Sequence, residues 1–328
     1  ANILVSTMMG GVSASNLADA AMLSRMMVPE MEQKGYSRGF AAAITACGSL
    51  ITPIIPPGIA LILYGLVADV SIGSMFMAGI LPGLLCSAML IVTVWLVAIR
   101  RGLKPSSEHW PKPKEVSVAL VQAWPALFLI VAVIGGIRAN IFTPTEAGAV
   151  AVLLVMFIGF VIYRELKISH VFTALSETAR STASVMLIIM ASAALGWIFS
   201  LERAGITVAE FVTSLTDNKY VFLLIINLLL LVLGMFLEGS AILLILVPLL
   251  KPVVAHFGID PVHFGIIMIL NLSLGTLSPP VGTVMLLVCN TVQVSVGQFM
   301  REAVPLLISL ILLLLVITYI PAISLLLV

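Results

Sequence analysis

Apolar runs about as long as a bilayer is thick follow one another along the chain, separated by short polar punctuation, and this pattern predicts an all-α protein. The first run, to about position 9, is too short to span. Gly10-Gly11-Val12-Ser13-Ala14-Ser15-Asn16 follows, then a helix to about Gln33, and together these predict a hairpin with a small polar tip. A polar patch with Glu30, Glu32, Lys34 and Arg38 leads into an apolar run over residues 39–68. Three prolines and a glycine interrupt that run at Ile51-Thr52-Pro53-Ile54-Ile55-Pro56-Pro57-Gly58. Proline removes a backbone donor and clashes with the preceding turn, so the run reads as a helix broken in its middle. In hydrocarbon the freed carbonyls need a partner, which makes the break a candidate buried site.

A long span is predicted over residues 72–99. After it, residues 100–115 set Arg100, Arg101, Lys104, Lys112 and Lys114 against Glu108 and Glu115, a loop that the positive-inside rule places in the cytoplasm. Spans at 120–137 and 147–163 follow, then an amphipathic stretch at 164–180 of the kind that lies along the interface, a span at 184–201 and a second interfacial piece at 202–219. An apolar run at 220–236 meets Leu237-Glu238-Gly239-Ser240 and returns through 241–254. A second interrupted helix, 264–289, contains Leu277-Ser278-Pro279-Pro280-Val281-Gly282, and a final span is predicted at 304–327.

The two broken regions repeat. Gly11, Pro29, Gly35, Pro56, Pro57 and Pro82 fall on Gly234, Pro252, Gly258, Pro279, Pro280 and Pro305 at a constant offset of 223 residues. After a one-residue slip, Val70-Ser71-Ile72-Gly73 aligns with Val294-Ser295-Val296-Gly297. Counting spans from a cytoplasmic basic loop makes the two hairpins enter from opposite faces, an inverted repeat of the kind found in secondary transporters, with discontinuous helices meeting near the midplane. The domain reading is residues 1–71 as the first hairpin and broken helix, 72–119 as a scaffold span with the basic loop, and 120–219 as scaffold spans and interfacial arm helices. Residues 220–295 form the second hairpin and broken helix, and 296–328 the closing span. The first half lacks counterparts of roughly residues 120–223.

Composition agrees. Hydrophobic residues make up 61% of 328 positions and charged residues 9%, with a mean hydropathy of +1.22, which points to a polytopic membrane protein whose main partner is the lipid bilayer. A net charge of +1 gives no sign of nucleic acid, and no phosphate-binding glycine loop or zinc-spaced cluster appears. Cys47, Cys86 and Cys289 lie in apolar spans and read as packing, as do the sixteen methionines. His109, His170, His256 and His263 are expected in solvated loops. Ala1-Asn2-Ile3 has neither an initiator methionine nor a signal-like region, so the chain reads as part of a longer one.

Several stretches resemble the large membrane subunit (M, DctM-like) of tripartite ATP-independent periplasmic (TRAP) transporters. They are Gly11-x-Ser13-Ala14-Ser15-x-x-Ala18-Asp19-Ala20, Arg25-Met26-x-Val28-Pro29-x-Met31, Gly35-Tyr36, Pro53-Ile54-Ile55-Pro56-Pro57, Ala68-x-Val70-Ser71-Ile72-Gly73 and Pro279-Pro280-Val281-Gly282. The resemblance covers essentially the whole chain and implies an elevator-type, sodium-driven importer of the ion transporter superfamily kind in a bacterial inner membrane. It also implies a periplasmic substrate-binding protein and a small membrane subunit, separate or fused, as partners. Small carboxylates, C4-dicarboxylates or sialic acid, are the implied substrates, with Na+ as coupling ion and no other cofactor or transition metal. The chain departs from the family in lacking its N-terminal scaffold spans and in carrying Ala14 and Asn16 where relatives often have smaller or hydroxyl residues.

A dehydrated monovalent cation needs oxygen ligands, which broken helices supply as carbonyls beside hydroxyls. The first expected sodium site sets Ser13, Ser15 and Asn16 of the tip against Thr52, Ile54, Pro56 and Gly58. The second sets Glu238 and Gly239 against Thr276, Ser278, Pro279, Gly282 and Thr283. The competing reading is of simple kinks whose orphaned backbone is relieved by neighbouring hydroxyls. Asp19, Arg25, Ser15 and Pro57 are the substrate candidates. Asp19 has an alternative role, because Asn16-x-x-Asp19 has capping-box spacing. Arg25 suits a carboxylate or, equally, snorkels to the interface. Glu238 stands before a candidate Ser240 cap. A channel with re-entrant hairpins is the rival function. An intramembrane enzyme would need a nucleophile motif such as Gly-x-Ser-x-Gly, and none is found.

Overall fold

The computed structural model describes residues 1–103, 113–139 and 141–328, and every regular element among them is helical. In chain order, α1 (Asn2–Ser13), α2 (Asn16–Gln33), α3 (Arg38–Ser49), α4 (Ile59–Ala68) and α5 (Ile72–Arg100) come first. The middle holds α6 (Pro113–Arg138), α7 (Pro144–Phe157) with a π-helical turn at Ile158–Ile162, and α8 (Ile168–Leu201). The last part holds α9 (Ala204–Leu215), α10 (Lys219–Phe236), α11 (Gly239–His256), α12 (Pro261–Gly275), α13 (Thr283–Val292), α14 (Val296–Tyr319) and α15 (Ala322–Leu325). Six helical stretches among the described residues are long and apolar enough to cross a membrane, so this is a multi-pass membrane protein.

The chain forms two compact units, residues 1–106 with 196–328, and residues 107–195. The second has its own small core of Leu129, Val133 and Ala147, packed by Ile137, Phe142, Ala151 and Leu154. Thr143 and Glu146 close a capping box at the start of α7, with Pro144 in the first turn.

In the first unit the helix boundaries carry the sequence repeat. Both α2 and α11 have 18 residues and lie 223 apart, and α3 and α12 start 223 apart. Gly58 and Gly282 cap α4 and α13, Asp69 and Gln293 end them in the left-handed conformation, and Ser71 and Ser295 cap α5 and α14, all 224 apart. The extra residue lies within the second break, before Gly282. Pro82 and Pro305, still 223 apart, therefore fall one residue out of step in their helices. Contacts between the halves also occur in matched pairs: α2 packs on α13 and α11 on α4, while α3 packs on α14 and α12 on α5.

Two polar fastenings hold helix ends together. Glu302 of α14 accepts from Ser37 at 3.0 Å and pairs with Arg101 at 2.5 Å, and the Arg101 guanidinium lies 4.6 Å over the Phe40 ring. The start of α3, the end of α5 and the start of α14 thus meet. Elsewhere the Tyr64 hydroxyl of α4 donates to the Pro261 carbonyl at the start of α12 at 2.6 Å. Lys34 pairs with Glu30 and holds its exposed carboxyl below the usual range, and Arg38 pairs with Glu32 at 2.8 Å.

Several sequence expectations change. Gly10 and Gly11 lie inside α1 rather than in the tip, because α1 crosses the break so closely that a Cβ at Gly10 would sit 3.1 Å from the Thr52 Cα. The stretch expected along the interface at 164–180 is mostly the first half of α8, whose 34 residues extend roughly 50 Å, since no proline or glycine interrupts it before Gly196. The closing span starts at Val296 and ends at Tyr319, ahead of Pro321, rather than covering 304–327. His263 is buried in the first turn of α12, not in a solvated loop. Lys104, Glu108, His109 and Lys112 of the predicted basic loop lie outside the described residues, as do the side chains of Lys114 and Glu115.

Candidate functional site

The first tip is two residues long. Ala14 turns the chain with φ 55, and Ser15 caps α2 by accepting from the Ala18 amide at 3.3 Å. Ser13 accepts weakly from the Ser15 amide at 3.5 Å, and Asn16 from the Leu17 amide at 2.9 Å. The three tip oxygens expected at the first sodium site are thus each engaged with the tip's own backbone, and none bonds to the break loop. The cap is Ser15 and not Asn16, so the capping-box reading of Asp19 fails. Asp19 is 1% exposed and accepts from the Thr52 hydroxyl at 2.5 Å, and its second oxygen has no partner. The structure therefore brings Asp19, expected at the substrate, against Thr52, expected at the cation. Arg25 lies exposed on α2, and among the described residues no acidic side chain pairs with it.

The first break, between α3 and α4, is almost wholly buried. Ile54 and Pro56 are inside, with Ile55 and Pro57 half-buried. Glycines let it fit: a Cβ at Gly79 of α5 would run into the Ile54 carbonyl, one at Gly83 into the Ile55 side chain, and one at Gly58 into the Pro53 carbonyl. The Pro56–Pro57 bond is cis, as is Pro279–Pro280. The Ile51 carbonyl accepts from the Ile54 and Ile55 amides. Among the described residues, no hydrogen bond reaches the five consecutive carbonyls of Pro53, Ile54, Ile55, Pro56 and Pro57.

At the second tip Glu238 is itself the cap of α11, accepting from the Ala241 amide at 3.1 Å and the Ser240 hydroxyl at 2.9 Å, so the expectation of a Ser240 cap fails. Gly239 packs over Leu272 of α12. The second break ties to α10 through the Gly282 amide, which donates to the Met235 carbonyl at 3.1 Å. Its threonine is already engaged: Thr276 donates to the Ser273 carbonyl at 2.6 Å, and its own carbonyl accepts from the first amides of α13, those of Val284 and Met285. Ser278 returns a long 3.4 Å bond to the Leu274 carbonyl, and Thr283 opens α13 half-buried. Again five consecutive carbonyls, Leu277 to Val281, accept nothing among the described residues. Unlike the first loop, Pro279, Pro280 and Val281 are exposed.

Sequence reasoning missed a buried polar chain beside the second break. Asn271 donates to Asn227 at 2.6 Å, Asn227 to the Thr318 hydroxyl at 3.0 Å, and His263 Nε2 lies 3.3 Å from the Thr318 carbonyl. Two signals pointed to it: the lone Asn227 in an apolar run, and Asp260-Pro261, a cap followed by a first-turn proline, which starts α12 before His263. The three cysteines are free and buried, and among the described residues no three His, Cys, Asp or Glu side chains gather as a metal site.

Helices broken at paired proline loops, in a chain with six candidate spans, define a polytopic membrane protein of the discontinuous-helix class. Residues 1–323 match the tripartite ATP-independent periplasmic transporter DctM component, and the chain belongs to that family. It is 39% identical to the sialic acid TRAP transporter large permease protein of Vibrio cholerae over 99% of this chain and 76% of that one. It is 34% identical to the C4-dicarboxylate TRAP transporter large permease protein of Pseudomonas aeruginosa, covering 99% and 76%. With the isethionate TRAP transporter permease protein of Oleidesulfovibrio alaskensis it shares 36% identity over 95% of this chain and 49% of that one.

Proposed function

We propose that this chain imports a small carboxylate, of the C4-dicarboxylate or sialic acid class, across a bacterial inner membrane, by sodium-coupled secondary active transport of the elevator type. The observation that carries the reading is the pair of unengaged carbonyl runs, Pro53 to Pro57 and Leu277 to Val281, one in each broken helix. Carbonyls without donors are costly where they lie inside, as in the first break and at Leu277 and Ser278 of the second, unless something coordinates them, and a sodium ion at each break does so. At the first break Asp19 supplies the negative charge and Thr52 orients it, which moves Asp19 from the substrate to the cation. Ser13, Ser15, Asn16 and Gly58 frame that site. Glu238, Gly239, Thr276, Ser278, Pro279, Gly282 and Thr283 frame the second. Arg25, with Ser15 and Pro57, remains the candidate contact for substrate.

The inverted-repeat reading has support from the fastenings. The Glu302 cluster joins the start of α3 to the start of α14, while Tyr64 joins the second half of α4 to the start of α12. The two broken helices then begin at opposite ends, and the reciprocal packing of α2 on α13 and α11 on α4 is what a two-fold axis in the membrane plane produces. In this scheme residues 1–71 and 220–295 travel as re-entrant hairpins and broken helices, the other spans stay as scaffold, and the loop after α5 faces the cytoplasm. A periplasmic binding protein delivers substrate, and a small membrane subunit, separate or fused, completes the transporter. The test is uptake of sialic acid and of C4-dicarboxylates into proteoliposomes, each with its binding protein. An inward sodium gradient is expected to drive concentrative uptake, and Ser15→Ala or Thr276→Ala to raise the sodium concentration required. Uptake that merely equilibrates would favour a channel, and unchanged sodium dependence in both variants would overturn the ion sites.

A further inference from the structure

A cavity of about 200 Å³ opens between the second half of α4 and the last turns of α11. Tyr64, Val247, Val254 and Phe264 give it apolar walls, and Asp69 and Lys251 are its charged residues. Both are exposed, and neither belongs to an ion pair among the described residues. Asp69 ends α4 with φ 60, and the amides of Asp69 and Val70 both return to the Gly65 carbonyl. The carbonyls of Leu66, Val67 and Ala68 therefore accept nothing among the described residues, and they add the negative end of the helix to the carboxylate.

Two further observations say what kind of molecule fits. Ile59, Ile62 and Leu66, at 45%, 37% and 59% exposure, form a stripe on α4 at helical spacing that ends in Asp69, so the cavity opens beside a surface that lipid covers in a multi-pass protein. The matching seam between α2 and α13 is built differently. There the position equivalent to Lys251 is Val28, 1% exposed, and the position equivalent to Asp69 is Gln293. A valine packs into one seam, whereas in the other the lysine turns outward beside an acid.

We propose that this cavity holds the glycerol-proximal part of one acyl chain of a membrane phospholipid whose headgroup carries a primary amine. The phosphate meets Lys251, and the ammonium donates to Asp69 and the carbonyls that end α4. A quaternary ammonium has no hydrogen to give these acceptors, and a headgroup without an amine leaves Asp69 facing only negative charge.

Native mass spectrometry of the protein released from nanodiscs with equal phosphatidylethanolamine and phosphatidylcholine reads the retained lipid. The wild type is expected to keep one ethanolamine lipid in preference to choline by about fivefold, the worth of one interfacial charge contact. Asp69→Asn keeps the left-handed turn and should abolish the preference while lipid is still retained. Lys251→Gln should reduce retention of both lipids, and Ala68→Phe, which fills the cavity, should remove both without changing the helical content. Equal retention of the two headgroups by the wild type, or retention unchanged in Ala68→Phe, would overturn the proposal, as would a preference that survives Asp69→Asn.

Discussion

At the scale of single residues the most consequential contact is the bond from Thr52 to Asp19. A carboxylate that is 1% exposed, with one oxygen served by a hydroxyl and the other by nothing, is a charge held out of water with half its partners. Thr52→Val keeps the shape and removes the donor, so it should lower stability by about 1.5–3 kcal/mol, and Thr52→Ser should restore most of that. Thermal unfolding of the purified protein in detergent checks both. The sequence put Asp19 and Thr52 on the candidate list, but it could not pair them. The two lie 33 residues apart, and their meeting depends on how deeply α1 and α2 sit over the break. It was equally silent on Ser15, whose capping role is a matter of where α2 starts by one residue.

Among the helices, what the structure adds is closeness. The α10–α12 crossing runs through Gly234 and Gly275, and a Cβ at Gly275 would lie 2.6 Å from the Gly234 backbone. Gly275→Ala should push the two helices apart and destabilise the protein by about 1–3 kcal/mol, seen as a lower unfolding temperature, whereas alanine at Gly297, where nothing lies within 4 Å of the Cβ position, should be tolerated. The helix list itself was largely legible, because proline, glycine and serine punctuate it: both tips and both breaks fall where the sequence pattern placed the interruptions, while α13 runs three residues past the expected end at 289. The errors came where punctuation is missing or ambiguous. Nothing in residues 168–195 stops α8, and Gly10, with Gly11 inside α1, serves a close crossing rather than a turn. The polar chain from His263 to Asn271 was legible only in part: Asn227 stands out in its apolar run, but a buried histidine and a solvated one look alike in a sequence, and only the burial of Thr318 and Asn227 beside it tells them apart.

For the molecule as a whole, the paired contacts give a test that bypasses transport. Glu32 and Ala255 are equivalent positions, both exposed near the ends of α2 and α11. Cysteines placed there singly should react with a membrane-impermeant thiol reagent from opposite sides of the membrane, and the native cysteines, all buried, should stay silent. Labelling of both from one side would remove the inverted arrangement. The reciprocal packing also bears on how the protein is made. The face of α2 that rests on α13 and the face of α3 that rests on α14 have no cover within their own half, and their partners are translated more than two hundred residues later. Neither half can close upon itself during synthesis. The early helices must wait in the bilayer with their seams open, and the last hundred residues act as the fastener that turns two incomplete leaves into one body.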